Sequence, residues 1–304
     1  MMNKRSFCVT IPKLYQNTTN EDAAIKRKDL IAISDGAGGY GILADKWSEY
    51  LLEHLPNNPI KNFNEFDNWL GAIWKEFYDR YEPLIKEKDA FIQNKFYEEG
   101  SCATLIAVWQ NNKKVNWIQY GDSAIFIYNK SKKKFRLKSP ESISEFLQNP
   151  RLINWKDNPS EKYFKIGEDI IDKDDVLIIA SDALSCYLLL SYIVSEKRKL
   201  KEDEKEILSS HLEQYYNALS SLSISSYFND VLLPLINAAK SKKAFHNYIK
   251  ELFENKYIAS DDYSFACIEL YKTHVQKKQI SKQGKLSKSY KDKLLNKFLD
   301  IKCQ

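Results

Sequence analysis

Apolar and polar positions in the first third of the chain predict one strand followed by two helices. Residues 29–34 (DLIAIS) have the length and continuous apolar character of a buried strand. Apolar and aromatic residues then recur at helical spacing over residues 45–55, and again over residues 66–84. These two segments are expected to be amphipathic helices that bury their aromatic side chains in the core.

Three apolar runs in the middle of the chain predict an antiparallel meander. They cover residues 102–110, 114–120 and 124–128. Asn111-Asn112 separates the first two runs and Gly121-Asp122-Ser123 separates the last two, and both segments consist of turn-forming residues. We therefore expect two hairpins that join three neighbouring strands.

The remaining segments favour an α+β fold. Residues 129–174 are polar and contain three prolines, which predicts an irregular excursion. Residues 176–181 and 265–271 are apolar runs typical of strands, and helical patterning extends over residues 184–253 with a break at 220–226. Strands grouped by hairpin turns and helices grouped in pairs are typical of α+β proteins rather than of alternating βαβ units.

The composition of the 304 residues is that of an ordinary globular protein, with 43% hydrophobic and 29% charged residues. No apolar run approaches the ~20 residues that a membrane span needs, and the N-terminal segment lacks the apolar core of a signal peptide. Five scattered cysteines without a CxxC pair, and four histidines, argue against a disulfide framework or a zinc site. A cytoplasmic protein without a transmembrane segment is therefore expected.

Charge is distributed unevenly along the chain. The net charge is +5, but residues 272–304 contain ten lysines against two aspartates, so the rest of the chain is mildly acidic. We predict a folded body over residues 1–271 and a basic tail over residues 272–304, with a short amphipathic helix over residues 290–301. The tail is either a solvated linker with a docked helix or an arm for an acidic partner or a membrane surface. Its aromatic residues are too sparse to stack on single-stranded nucleic acid, so a nucleic-acid partner is not expected.

Aspartates stand where several of the predicted strands begin or end. Asp35 and Asp182 follow strands, Asp122 lies in a hairpin turn, Asp261 precedes the last strand, and Asp22 lies in the loop before the first. Each residue alone has an ordinary explanation as a turn former or a helix cap. If the strand ends converge, each like-charged pair ~4 Å apart costs about 4 kcal/mol. Oxygen ligands without nearby His or Cys then point to Mg²⁺ or Mn²⁺.

Six short motifs around these aspartates give the chain a family resemblance. The glycine-rich segment that begins at Asp35 resembles the DGxGG element of the metal-dependent Ser/Thr protein phosphatases of type 2C, including their bacterial members. The other five motifs follow the family's order over residues 20–271: Asn20-Glu21-Asp22-Ala23, Gly100-Ser101-Cys102-Ala103-Thr104 (similar to GSTA), Gly121-Asp122-Ser123, Ala180-Ser181-Asp182-Ala183-Leu184 (similar to SDGL) and Asp261-Asp262-Tyr263-Ser264 (similar to DNxS).

The resemblance implies both a fold and an activity. The fold is a four-layer α/β/β/α sandwich, in which two stacked antiparallel sheets are flanked by helices and a dinuclear metal site lies at one end. The activity is metal-dependent hydrolysis of phosphoserine and phosphothreonine on proteins by a metal-activated water. The resemblance thus implies a phosphoprotein substrate, a function in signalling, and two Mn²⁺ or Mg²⁺ ions with a weaker third.

The resemblance also assigns ligands. Asp35 would bridge the two ions, with the carbonyl of Gly36 as a further ligand, and Asp22 would contact one ion mainly through water. Asp35 and Asp22 are therefore the predicted catalytic residues. The remaining predicted ligands are Asp182 and Asp261 for the other ion, and Asp122 with Asp182 for the weaker third ion.

The match to the family lacks one cationic residue. Asn17 stands where the family usually has an arginine that binds the substrate phosphate. An amide does not replace the bidentate contact of a guanidinium group. Lys13, Arg27 or a residue of the excursion over residues 129–174 are candidates to replace it.

Two further departures leave a different class of protein open. Ala183 replaces the glycine that follows Asp182 in the family, and Cys186 replaces an acidic residue. With Asn17, these changes are compatible with a pseudophosphatase, which would bind or regulate without turnover. The complete set of aspartates favours an active enzyme, because an inactive site has no reason to retain a repulsive cluster.

Residues 36–41 (GAGGYG) also fit the GxGxxG pattern of dinucleotide-binding proteins. Asp35 directly before the first glycine is a poor neighbour for a pyrophosphate, and no second strand that ends in an acidic residue follows. A metal centre is therefore the favoured interpretation of this segment.

Overall fold

The structure of the protein, a computed structural model, describes residues 2–272 apart from 144, 146–148, 199, 201 and 211. Its strands are β1 (Met2–Ile11), β2 (Ala23–Arg27), β3 (Leu30–Ser34), β4 (Gly36–Gly41), β5 (Ser101–Ala103), β6 (Leu105–Asn111), β7 (Lys114–Tyr120), β8 (Ala124–Asn129), β9 (Lys134–Ser139), β10 (Ile153–Asn154), β11 (Phe164–Ile170), β12 (Asp175–Ala180) and β13 (Tyr263–Lys272). Its α-helices are α1 (Ala44–Glu53), α2 (Phe63–Ile85), α3 (Ala90–Asn94), α4 (Asp182–Glu196), α5 (Glu202–Ser210), α6 (Glu213–Ser220), α7 (Leu233–Ala238) and α8 (Lys242–Glu254).

Two five-stranded sheets form the centre of the fold. Their strand orders are β1-β13-β12-β8-β9 and β11-β7-β6-β3-β2, and a small third sheet has the order β10-β5-β4. Neighbouring strands in all three sheets are antiparallel. The two large sheets pack face to face through apolar side chains such as Ile33 and Ile106 from one sheet, and Ile125, Ile179 and Ile268 from the other.

Helices cover the outer face of each large sheet. The apolar residues of α1 and α2 pack on the sheet that contains β3, where the rings of Trp47 and Phe77 lie 4.8 Å apart between centroids. Helices α4, α7 and α8 pack on the sheet that contains β12, in a core that includes Leu188 and Phe245. The predicted four-layer α/β/β/α sandwich is therefore confirmed, since each sheet buries one face against the other sheet and one against helices.

The long helix α2 shows how local sequence specifies an element that the structure confirms. It begins after Asn62, whose side chain accepts a hydrogen bond from the backbone N–H of Glu65 at 2.9 Å. Apolar residues then recur on one face, and Phe66 and Phe77 are completely buried. An N-cap followed by this periodicity is sufficient to predict the helix from sequence.

The predicted three-stranded meander is wrong at its second turn. Strands β6 and β7 pair as expected, but β8 belongs to the other large sheet and pairs with β12 and β9. The turn at Gly121 carries the chain from one sheet to the other, with a φ of 102° at that glycine. A β-carbon there would lie 2.6 Å from the side chain of Thr104. A turn signal cannot distinguish a hairpin from a crossing between sheets, because the distinction depends on which distant strand each run meets.

Residues 129–174 are more regular than predicted. They contribute β9 to one large sheet, β11 to the other and β10 to the small sheet. Strands β9 and β11 are edge strands with alternating polar and apolar residues, so their charged side chains remain exposed. The polar composition therefore reflected edge positions rather than an absence of strands.

Smaller differences concern strands that lack a strong local signal. The strand predicted over residues 102–110 is interrupted at Thr104, which separates β5 from β6. Strands β1 and β2 were not predicted. The glycine-rich segment forms β4, which pairs antiparallel with β5 in an irregular register, so it is not the turn after a parallel strand that dinucleotide binding requires.

The basic tail lies outside the described residues apart from Lys272. Its amphipathic helix and its acidic partner therefore remain predictions, as does the boundary at residue 271. Among the described helices, none combines the length and the apolar character that a bilayer crossing requires.

Candidate active site

Thr104 connects two of the predicted metal ligands. Its hydroxyl accepts a hydrogen bond from the backbone N–H of Asp35 at 3.1 Å, and its own N–H donates to the Asp35 carbonyl at 2.8 Å. The same hydroxyl lies 2.8 Å from the hydroxyl of Ser123, which follows Asp122 in the turn between the sheets. Thr104, at which the predicted strand is interrupted, thus links the end of β3 to the turn that holds Asp122. Gly36 is buried and begins β4 opposite Ala103.

Asp182 is the first residue of α4, and one residue, Ser181, separates it from the end of β12. One of its carboxylate oxygens accepts a hydrogen bond from the N–H of Ala183. The preceding residue, Ser181, exchanges hydrogen bonds with Ser264 in the neighbouring strand: each backbone N–H donates to the other residue at 3.0 Å. These bonds hold the end of β12 beside the beginning of β13, where Asp261 lies.

Asp22 is buried without a hydrogen-bond partner. It is 4% exposed, and neither of its carboxylate oxygens has a partner in the described part of the chain. The buried hydroxyl of Ser264 is also without a partner there. A desolvated carboxylate without donors is unfavourable unless it is protonated or bound to a cation.

The aspartates perturb one another electrostatically. Burial raises the pKa of Asp35, and the charges of Asp22, Asp182, Asp122 and Asp261 raise it further. The same applies to Asp182, whose pKa is raised by burial and then by Asp261, Asp122 and Asp22. The structure therefore brings the five aspartates that the sequence singled out to one end of the sandwich.

Two of these groups have pKa values near neutrality. Burial raises the pKa of Asp22 to about 7; Asp262 and Asp261 add to the shift and the nearby Ser264 hydroxyl opposes it. Burial also raises the pKa of Asp122 to about 6, an effect that backbone N–H groups oppose and the charge of Asp261 increases. Raised pKa values of this kind occur where buried carboxyl groups have no cation nearby to stabilise their negative charge.

Asp262, which sequence reasoning did not select, fastens the loop that carries Asp22. One of its oxygens accepts the N–H of Lys13 at 2.8 Å and the other accepts the N–H of Glu21 at 2.7 Å. The side chain itself is buried. The family motif has asparagine at this position, but here the two backbone donors reach different side-chain oxygens, and an amide has only one oxygen.

Of the candidates for the missing arginine, Lys13 lies at the site and Arg27 does not. The ammonium group of Lys13 is 3.3 Å from a carboxylate oxygen of Asp261. The guanidinium group of Arg27 instead donates to the carbonyls of Leu52 and Leu55 at the end of α1. It stabilises a helix C-terminus there and is not available for a phosphate.

The donor set fits a divalent cation. Its groups are carboxylate oxygens, which Mg²⁺ and Mn²⁺ prefer, and the oxygens of Asp22 are buried without a partner. Within the described part of the chain, however, no three or more His, Cys, Asp or Glu side chains are arranged so that they could hold a metal ion as they stand. A bound ion would have to draw these side chains together, so the predicted ligands remain a prediction.

Comparison with known proteins identifies the fold. Neither a protein-family model nor a curated protein sequence matches the chain. Among solved structures, the Mycobacterium tuberculosis serine/threonine phosphatase PstP/Ppp matches with a TM-score of 0.51 and 12% identity, over 88% of this chain and 99% of that one. The chain has the fold of bacterial serine/threonine phosphatases.

A second structure extends this comparison. The catalytic domain of PstP in complex with two manganese ions matches with a TM-score of 0.50 and 13% identity, over 90% of this chain and all of that one. A variant of a bacterial serine phosphatase matches with a TM-score of 0.50 and 15% identity, over 88% of this chain and 97% of that one. The fold implied by the sequence resemblance is thus confirmed.

Proposed function

We propose that the protein is a metal-dependent phosphatase that hydrolyses phosphoserine and phosphothreonine on proteins. The observation that carries this proposal is the convergence of five buried or half-buried aspartates at one end of a phosphatase fold. Two of them have pKa values near neutrality, and Asp22 has no hydrogen-bond partner among the described residues. A related fold holds two manganese ions in PstP.

The proposed metal ligands are the predicted ones: Asp22, Asp35 with the Gly36 carbonyl, Asp182, Asp261 and Asp122. When bound, divalent ions supply a water of lowered pKa and positive charge for the phosphoryl group. We propose Mn²⁺ or Mg²⁺ as the natural ion, with two tightly held ions and a weaker third.

The residues of this chain around the ligands would act by positioning. Asp262 holds the backbone before Asp22, and Thr104 holds Asp35 and the turn of Asp122. Lys13 supplies a positive charge beside Asp261, where an anionic substrate would approach. This lysine is our candidate for part of the function of the absent arginine, as a point charge rather than a bidentate partner.

The departures from the family motifs are compatible with an active site. The N–H of Ala183 donates to Asp182, so replacement of the glycine does not disrupt that bond. Burial, and then the charge of Asp182, raise the pKa of the Cys186 thiol to about 12. The thiol is therefore neutral at physiological pH and adds no negative charge to the cluster.

The test is turnover of a phosphothreonine peptide with Mn²⁺ or Mg²⁺ and with EDTA. We expect activity with metal and none with EDTA, and a loss of at least ~100-fold in Asp35→Asn and Asp182→Asn. Asp89→Asn, an exposed helix cap, is the matched control and should be unaffected. Metal binding without turnover at any pH from about 6 to 9 would instead support the pseudophosphatase alternative.

A cytoplasmic location and a function in signalling belong to the same proposal. Both follow from the sequence features and the proposed reaction on phosphoproteins. Cell fractionation followed by phosphoproteome comparison of cells with and without the active protein would test them together.

A further inference from the structure

A cavity of about 160 Å³ opens beside Asp122. Its walls are formed by the end of β7, by the turn after it, and by part of the polar segment over residues 129–174. The side chains that determine its charge are Asp122, Glu145, Arg151, Lys162, Tyr163 and Lys165. It therefore borders the candidate metal centre, and its charged lining consists of three cationic and two acidic side chains.

Only some of these charges are neutralised within the cavity. The ammonium group of Lys165 lies 3.0 Å from the carboxylate of Glu145, so these two groups form a pair. Arg151 and Lys162 lie over the ring of Tyr163, at 5.2 Å and 5.4 Å from its centroid. Neither has a carboxylate partner among the residues that the structure describes.

The tyrosine ring holds these two cations together. Both interactions are in the range of cation–π contacts, and Arg151, followed by Lys162, lowers the pKa of Tyr163. Arg151 and Lys162 are exposed, so their donors are accessible from solvent. Because Asp122 belongs to the candidate metal centre and Glu145 is paired, the accessible surface of the cavity offers mainly positive charge.

We infer that this cavity is an anion subsite that binds a second negatively charged side chain of the substrate, close to the phosphoserine or phosphothreonine. This inference rests on the proposed function, because it places the reacting phosphate at the neighbouring aspartates. A guanidinium group beside an ammonium group is suited to a carboxylate or a second phosphate. The chain therefore prefers phosphoproteins with acidic residues or further phosphorylation near the site.

The charge of the rest of the protein supports this preference. The body of the chain is mildly acidic, and the metal centre is surrounded by carboxylates. An acidic substrate would be repelled by such a surface unless a local group of cations received it. The cavity places these cations beside Asp122.

The experiment compares two phosphothreonine peptides of equal length, one with flanking Asp and Glu and one with Asn and Gln in their place. We expect the wild type to have a KM about tenfold lower for the acidic peptide, since hydrogen bonds between charged groups are stronger than those to a neutral amide. Arg151→Gln and Lys162→Gln should remove this difference, while their kcat/KM for a small aryl phosphate stays unchanged. Lys88→Gln, which removes an exposed charge elsewhere, is the control.

A binding measurement separates this inference from the proposed function. Fluorescence anisotropy with the labelled acidic phosphopeptide in EDTA should show weaker binding to Arg151→Gln than to wild type or to Lys88→Gln. If no substrate is turned over but this difference is found, the proposed function fails and the subsite stands. A doubly phosphorylated peptide in the same assay distinguishes phosphate from carboxylate as the preferred anion.

Three results would overturn the inference. The first is equal KM and equal binding for the acidic and neutral peptides. The second is a loss of aryl phosphate hydrolysis in Arg151→Gln, which would place this arginine on the reacting phosphate. The third is an equal effect of Lys88→Gln, which would mean that net charge alone controls binding. A thermal melt of each variant ensures that a folding defect is not mistaken for any of these.

Discussion

Asp262 accepts a hydrogen bond from the backbone N–H of Glu21 at 2.7 Å, across 241 positions of the sequence. Its second oxygen accepts the N–H of Lys13 at 2.8 Å. These two bonds tie the loop before β2 to the start of β13, and so determine where Asp22 enters the aspartate cluster. Asp262 is therefore a positioning residue that need not touch the substrate.

Asp262→Asn should destabilise the protein. The two N–H groups donate to different oxygens of Asp262, and the amide places an NH₂ group at one of these positions. One donor then loses its acceptor, and an unsatisfied buried donor costs about 1–3 kcal/mol. The measurement is urea unfolding in EDTA at pH 5. At this pH Asp22 is largely protonated, so the variant gains little stability from the loss of repulsion between Asp22 and Asp262. Asp89→Asn is the control: the Asp89 side chain accepts a single backbone N–H, that of Ile92, and asparagine caps helices equally well. Equal stability of the two variants would contradict this account of the loop.

The metal-free protein should lose stability as pH rises. The pKa of Asp22 is raised from 3.8 to about 7 in the folded state. The contribution of Asp22 to the free energy of unfolding is thus fully present below pH ~4 and is lost as pH rises through ~7. The pKa values of Asp35 and Asp182 are raised as well, so their contributions have the same sign. Melting temperatures in EDTA between about pH 4 and pH 8 should fall, and less steeply for Asp22→Asn.

Manganese should reverse this trend. An ion that binds the folded cluster and not the unfolded chain stabilises by about 2.7 kcal/mol at a concentration of 100 Kd. A chain of this size then melts several degrees higher, at about 2–4 °C per kcal/mol. Because protons compete with the ion, the increase should grow with pH, and Asp35→Asn should reduce it. Absence of any shift at millimolar Mn²⁺ would mean that the aspartates do not form a metal site.

Asn17→Arg should improve substrate binding. Asn17 is exposed in the loop before Asp22, and an arginine there could form a bidentate contact with the phosphate. We expect kcat/KM for a phosphothreonine peptide to rise about tenfold, mainly through a lower KM. Thr18→Arg adds the same charge one residue away and is the matched control. If both variants improve equally, a general charge effect is responsible; if neither does, another cation such as Lys13 already binds the phosphate.

Thr104→Val should impair the site more than its small change in shape suggests. It removes the hydroxyl that accepts the N–H of Asp35 and pairs with Ser123, and leaves both buried groups without that partner. A loss of about 1–3 kcal/mol in stability is expected, together with a fall of about tenfold in kcat from misplacement of Asp35. Thr104→Ser retains the hydroxyl and should preserve kcat, which separates the hydrogen bonds from the packing of the methyl group.

Local sequence was sufficient to predict an element wherever its segment contained a capping residue, a helical period or a continuous apolar run. Helix α2 follows from the cap at Asn62 and the periodicity after it, and β12 follows from a continuous apolar run. The aspartates at strand ends could be selected for the same reason, because each stands at a recognisable boundary. Their convergence, however, came from the family resemblance and not from spacing.

The sequence by itself determined the long helices and the buried apolar strands, and it selected the aspartates of the candidate site. Only the tertiary structure decided the assignment of β7 and β8 to different sheets, the use of Arg27 at the end of α1, and the meeting of Asp262 with Glu21. Periodicity and turn chemistry depend on neighbours within a few residues. Sheet partners and buried hydrogen bonds join residues as far apart in the sequence as Met2 and Lys272, which only the packed core brings together.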